Sequence, residues 1–426
     1  MGKKQSFNVQ TIFFICFLAL MLFLNNSLFC LNLELVLAQP LEESYFQGVH
    51  LLESEKKYTE ALEIFRKILE INPNYAQAHY QIGEIYRLTD ELKKAKVYYQ
   101  NAINLKPDYL SAHYHLGLIK MELGKYEDAL ASFKETIRIN PDFFEAHYSM
   151  GLAYFELEKF PRAIESFKQA IRLNPDDHQS YCGLALCYKK TGEDQKAIQS
   201  LNRALEIRPD YGQAFYELGL IFQNLNQYED AINALNKAAH YLPAQADQIY
   251  FQIGMNYQEL NNTELAIEAL EKATQANENY SDAFFYLGWF HNQKNQFDKA
   301  IECYKKVIEL NPNYSNIYYN LGWVYCEIEK FRDAIDSFTN VVDKNPNDAD
   351  AHYALGWTYS KTEDYEKAKD SFKEAIRLNP EHIYAHYGLG ITYLILGERN
   401  FALEEYKILK DLNQKIADQL FNQIYP

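Results

Sequence analysis

Five histidines stand in register along this chain: His79, His113 and His147, then His352 and His386. Imidazole ligates metals and moves protons near neutral pH, so a regular row of it invites a metal-binding or general-base reading. The pattern around the row argues for packing instead. Equivalent places elsewhere hold Tyr181, Phe215, Tyr250, Phe284 and Tyr318, and no carboxylate recurs beside them. His113 and His115 lie two apart and diverge on a helix. Cys182 and Cys187, five residues apart, point about 140° away from each other on a helix. With Cys303 and Cys326 they read as buried free thiols. No glycine-rich phosphate loop, serine elbow or zinc-protease helix occurs. The expectation is a protein that is not an enzyme, with no catalytic residue, cofactor or metal.

Aromatic side chains are the other candidates. All three tryptophans, Trp289, Trp323 and Trp357, recur at a constant interval, and four residues before each stands Phe285, Tyr319 or Tyr353. Residues four apart are vertical neighbours on a helix, so each pair forms one apolar patch. Such a row either packs successive helices together or offers a partner an apolar strip rimmed by polar groups.

The elements that position these residues follow from three lattices in one phase. Alanine recurs from Ala61 through Ala95, Ala129 and Ala163 to Ala402 at intervals of 34 or 35 residues. Glycine keeps the same spacing from Gly83 to Gly390, with Ala185 standing in its place once, and proline from Pro73 to Pro380, with one omission. Counting one repeat from Ala76 as position 1 to Tyr109 as position 34, apolar residues at positions 4, 7, 8 and 11 make a first helix, A, amphipathic. A polar turn precedes a second helix, B, through Ala95, Tyr99 and Ala102. Glycine at position 8 and alanine at position 20 let the two helices approach. Proline ends helix B, and the acid after it (Asp108, Asp142, Asp176, Asp210) is placed to cap the next helix A. Repeats start near residues 42, 76, 110, 144, 178, 212, 247, 281, 315, 349 and 383, spanning 42–416. Residues 417–426 close the array, within an amphipathic pattern of Leu412, Ile416, Leu420 and Ile424. The seventh repeat departs from the rule, with one extra residue near Ala246 and Glu278 in place of proline, and its helix end is expected to fray or extend.

Leu116-Gly117, Tyr154, Ala163, Phe167, Ala170 and Pro175 resemble the tetratricopeptide-repeat pattern. The resemblance implies an all-α, right-handed superhelical solenoid of helix-turn-helix repeats with a C-terminal capping helix. It also implies that positions 2, 5, 9, 12 and 13 face a concave groove. The candidate partner-binding residues are then Tyr216, Phe251, Met255, Phe285, Trp289, Tyr319, Trp323, Tyr353 and Trp357. The lysine and asparagine with which chaperone-binding members clamp a terminal carboxylate are missing from this strip. The function expected is a scaffold that binds a partner polypeptide segment. Alternatives are a glycan-binding scaffold for polysaccharide export, or a self-associating spacer.

A net charge of −16 excludes a nucleic-acid backbone as partner, and its spread through every repeat suits solubility. Residues 1–38 differ in kind. Lys3 and Lys4 precede an apolar run from Ile12 to Leu24, a break at Asn25-Asn26-Ser27, and a second stretch ending Val36-Leu37-Ala38. This reads as an export signal cleaved after Ala38, or as an uncleaved membrane anchor. Either sends the repeats across a membrane, to a periplasmic or secreted location, with membrane contact only through this segment.

Overall fold

The computed structural model describes residues 41–314 and 316–426, so the export-type segment lies outside the described residues. The fold is an all-α solenoid of about eleven helix pairs with capping helices, and no strand occurs among the described residues. The chain divides into two compact units, residues 1–209 and 210–426. The first carries the leading five repeats, as in Leu110–Glu122 (helix A) and Tyr126–Ile139 (helix B) of the third. The second carries the remaining six and ends in a helix over Gln414–Ile424 that buries Ala417, Leu420 and Ile424. No helix among the described residues is long and apolar enough to cross a membrane.

Within each pair the small lattice residues do what their size allows. A Cβ on Gly117 would lie 2.4 Å from the Phe133 ring, and one on Gly322 would lie 2.6 Å from Phe338. Both rings are fully buried. Each A–B turn places its position-15 residue in the left-handed region: Gly124 and Gly192, but also Asp90 (φ 62°), Glu158 (φ 55°) and Asn226 (φ 57°). The following N–H then closes on a carbonyl five residues back, as Lys125 does on Lys120 at 2.8 Å. That is a Schellman-type end which satisfies the last carbonyls of helix A.

The B–A turn is built differently from the sequence expectation. The Asn at the end of helix B accepts, through Oδ1, the N–H two residues on: Asn140 from Asp142 at 3.1 Å, Asn174 from Asp176 at 3.3 Å. Asp108, Asp142 and Asp176 are therefore not the caps of helix A. The capping residues are Tyr109, Phe143 and Asp177, and of these only Asp177 caps with its side chain, accepting from the Ser180 N–H at 3.0 Å. The same asparagine turn explains the seventh repeat. Asn277 accepts from Asn279 at 3.0 Å and helix B stops at Ala276, so the missing proline neither frays nor extends it. The extra residue is absorbed in a single 3-10 turn, Pro243–Gln245. A second irregularity lies at Asn316, whose left-handed backbone (φ 57°) shortens the ninth helix A to Ile317–Glu327.

The histidine row has a structural task. Each Nε2 meets the carbonyl of the proline six residues earlier: His79 on Pro73 at 3.0 Å, His113 on Pro107 at 2.9 Å, His147 on Pro141 at 3.1 Å, His352 on Pro346 at 3.1 Å and His386 on Pro380 at 2.9 Å. As a donor, the ring ties helix A to the turn before it. Phe215 and Phe284, at the same position, have no donor to make this bond, and each of the five histidines uses one ring nitrogen on it.

Candidate functional site

Positions 2, 5, 9 and 13 of helix A are three, four and four residues apart and share one face. In the eighth to eleventh repeats that face reads Asp282-Phe285-Trp289-Gln293, Asn316-Tyr319-Trp323-Glu327, Asp350-Tyr353-Trp357-Lys361 and Tyr384-Tyr387-Ile391-Ile395. Tyr216, Phe251, Met255, Phe285, Trp289, Tyr319, Trp323, Tyr353 and Trp357 are all half-buried. The position-5 rings are largely framework. Phe285 packs on Tyr304 of helix B at 6.1 Å between centroids and on Tyr314 of the next turn at 5.1 Å. Tyr353 does the same with Phe372 at 6.0 Å and His382 at 4.9 Å. The position-9 rings are arranged otherwise. Trp323 and Trp357 meet each other across adjacent repeats, centroids 5.6 Å apart and planes inclined by 52°. Trp323 rests on Phe338 at 5.4 Å, and Lys361 Nζ lies 5.1 Å over the Trp357 ring. Trp289 packs on Phe290, within the cluster of Leu270 and Leu287.

Residues 47–284, more than half of the chain, match the family model described as the C-terminal domain of cilia and flagella-associated protein 70. Further tetratricopeptide-repeat models match residues 291–328, 317–348 and 349–382. The chain belongs to this tetratricopeptide-repeat family. Among solved structures, that of MamA is 27% identical, covering 39% of this chain and 96% of that one, with a TM-score of 0.37. YrrB, described as a tetratricopeptide protein with an unusual peptide-binding site, is 24% identical over 52% of this chain and 96% of its own, at 0.34. Yeast Tom70 is 16% identical over 91% and 95%, at 0.35. No curated protein matches the chain. A tetratricopeptide array offers an extended surface to other proteins, and its general role is that of an interaction scaffold.

The array places further residues at the strip that the sequence reading left out. Tyr384 and Ile395, at positions 2 and 13 of the last repeat, are 59% and 52% exposed. With Tyr353, Trp357, Lys361, Tyr387 and Ile391 they line a cleft of about 560 Å³. Their signal was visible: in that repeat alone, all four face positions are apolar. A second cleft, about 700 Å³, lies at Phe284, Leu287, His291 and Cys303. There position 11 carries His291 where Tyr257, Tyr325 and Tyr359 stand in neighbouring repeats.

In the first unit the same face carries a different chemistry. Glu84 occupies position 9 and was overlooked among the leucines that follow it. Its carboxylate accepts from the Tyr99 hydroxyl at 2.5 Å, from Arg87 at 2.7 Å and lies 3.1 Å from His115 Nδ1, which Tyr80 also meets at 2.9 Å. Burial opposes the Glu84 charge, but His115, Arg87 and Tyr99 together hold its carboxyl below the usual range. Burial lowers His115 against the pull of Glu84. Tyr99 comes from helix B and His115 from the next repeat, so only stacking assembles the group. It is closed on itself.

Among the described residues, the thiols of Cys182, Cys187, Cys303 and Cys326 are buried and none forms a disulfide. Burial pushes the thiols of Cys187 and Cys303 up to about 12 and that of Cys326 up to about 11, far from thiolate reactivity. Among the described residues no group of three histidine, cysteine or carboxylate side chains is arranged to hold a metal ion.

Proposed function

We propose that the second unit is a docking groove for a partner polypeptide, anchored on the strip from Phe285 to Ile395. The observation that carries this reading is the Trp323–Trp357 pair. Two large rings in adjacent repeats keep part of their surface open while resting on a fixed floor. Rigid aromatic anchors of this kind dominate binding energy at interfaces because they bury much area and lose little rotamer freedom. The cleft at Tyr384 and Ile395 continues the strip and supplies room for an anchor side chain from the partner. The export-type pattern of residues 1–38 supports a periplasmic or secreted setting for this scaffold; mass analysis of the mature chain, intact or trimmed after Ala38, tests that part.

A photo-crosslinking residue at Trp323 in the source cells tests the groove directly. A discrete, protease-sensitive adduct is the expected product, and Trp323→Ala then weakens binding of the captured partner by about 2 kcal/mol or more. A diffuse, protease-resistant adduct would instead identify a glycan. Binding unchanged after Trp289, Trp323 and Trp357 are all replaced by alanine would remove the strip from the interface.

A further inference from the structure

We infer that the groove of the second unit selects a cationic partner segment, one with large apolar anchors flanked by lysine or arginine. The inference rests on the docking reading above and adds the sign of the charge. In the seventh to tenth repeats, positions 2 and 13 border the aromatic strip on its two sides. They hold Glu259, Asp282, Glu327 and Asp350 against one cation, Lys361.

Two of these carboxylates, Asp282 and Asp350, are distinguished by the kind of partner they have. Asp282 Oδ1 accepts from the neutral Tyr314 hydroxyl at 2.7 Å. Beside it, Asp247 accepts from the Asn277 amide at 2.8 Å. Asp350 Oδ1 lies 3.2 Å from His382 Nε2, and His382 Nδ1 accepts the Ala385 N–H at 3.1 Å. A ring nitrogen that accepts a backbone N–H carries no proton, so in this geometry His382 donates to Asp350 through Nε2. Asp282 and Asp350 at the rim, and Asp247 beside them, thus meet hydroxyl, imidazole and amide donors. Carboxylates on helix B are treated differently. Glu268 pairs with Lys272 at 2.8 Å, Glu309 with Lys306 at 3.1 Å and Glu374 with Arg377 at 2.6 Å. The field at the rim is felt by its neighbours: burial, then the carboxylates of Asp282 and Asp247, push the Tyr280 phenol up to about 12. Fixed charge beside an apolar strip gives the groove a sign preference and speeds encounter with segments of opposite charge.

Since all three tryptophans of the chain lie on this face, their emission reports the groove. The full chain is titrated with an amphipathic peptide of leucine and lysine and with its leucine–glutamate counterpart. The lysine peptide is expected to shift the emission and bind at least about tenfold tighter, with the difference shrinking at high salt. The triple variant D282N/E327Q/D350N, which keeps every hydrogen-bond acceptor in place, should erase most of that preference, whereas E268Q/E309Q on helix B should leave it. Equal loss in both variants would show attraction to net charge alone and overturn the inference. If both peptides bind equally and Trp323→Ala abolishes both, the docking reading stands and the charge preference falls. If neither binds and the crosslink at Trp323 stays empty, both fall.

Discussion

The second repeat and the ninth and tenth repeats present the same face of helix A at the same register, and use it in opposite ways. At position 9 the second repeat has Glu84, held on three sides by Tyr99, Arg87 and His115; the later ones have Trp323 and Trp357, which touch each other and remain half-open. The floor differs by one atom. Tyr99 and Phe338 occupy the same position 24 under the same kind of glycine, but the Tyr99 hydroxyl has a carboxylate to meet. Backbone geometry fixes where a side chain emerges, and a single choice at position 9 decides whether that face turns inward or is offered to a partner.

The comparison breaks most sharply at Glu84. Glu84→Leu installs the residue that the third repeat carries at Leu118, and deprives a buried tyrosine hydroxyl, an arginine and a histidine of their acceptor. The expected cost is about 3 kcal/mol in urea unfolding of the transition that includes the first unit. A loss under about 0.5 kcal/mol, the size of a surface substitution, would show that the network is ornamental. A smaller effect sharpens the same contrast. Tyr304, in the eighth repeat, also places a tyrosine at position 24, but its neighbour at position 9 is Trp289 and its buried hydroxyl has no partner. Tyr99→Phe should therefore destabilise by about 1.5 kcal/mol, while Tyr304→Phe should be neutral or stabilise by about 1 kcal/mol, because it removes an unsatisfied group. Melting both variants side by side checks the sign; a matching loss in each would mean that Tyr304 is satisfied by water.

Much of this was legible in the sequence because the lattice residues answer to steric needs that recur in every repeat. Gly117 and Gly322 stand where a ring of helix B leaves no room for Cβ. The left-handed position 15 was not legible, since Lys56, Asp90, Gly124, Glu158 and Asn226 all adopt it. The turn imposes the conformation and the residue type merely tolerates it. The helix caps were misplaced for a related reason. An acid after proline has the chemistry of a cap, but the preceding asparagine already organises the turn, and the true capping position is given to rings such as Tyr109 that pack on Tyr80, 5.1 Å away. The Glu84 group was missed because its members depart from the lattice one at a time, in two repeats, and meet only when the repeats stack.

Protonation provides the last and smallest separation between the regions. His115 is held below its ordinary pKa, so the unfolded chain binds its proton more readily than the native state does. Stability at the second and third repeats is therefore present above an unfolded value of about 6.5 and declines as pH falls below it. Glu84, also held low, deepens the loss at more acid pH. His386 has the reverse sign. Burial opposes its charge, yet Nδ1 lies 2.6 Å from Glu405 and Nε2 lies 2.9 Å from the Pro380 carbonyl, and both acceptors favour the doubly protonated ring, whose pKa is raised. That contribution is complete below about 6.5 and disappears as pH rises through the raised value. Hydrogen exchange, corrected for its intrinsic pH dependence, should then show Leu110–Glu122 opening more readily in mild acid and Ile383–Ile395 opening more readily in mild alkali. Changes of one sign in both helices would mean that some shared titration, and not these two imidazoles, governs the response, and Glu405→Gln, which keeps an acceptor but removes the charge, should flatten the pH dependence of the second helix alone.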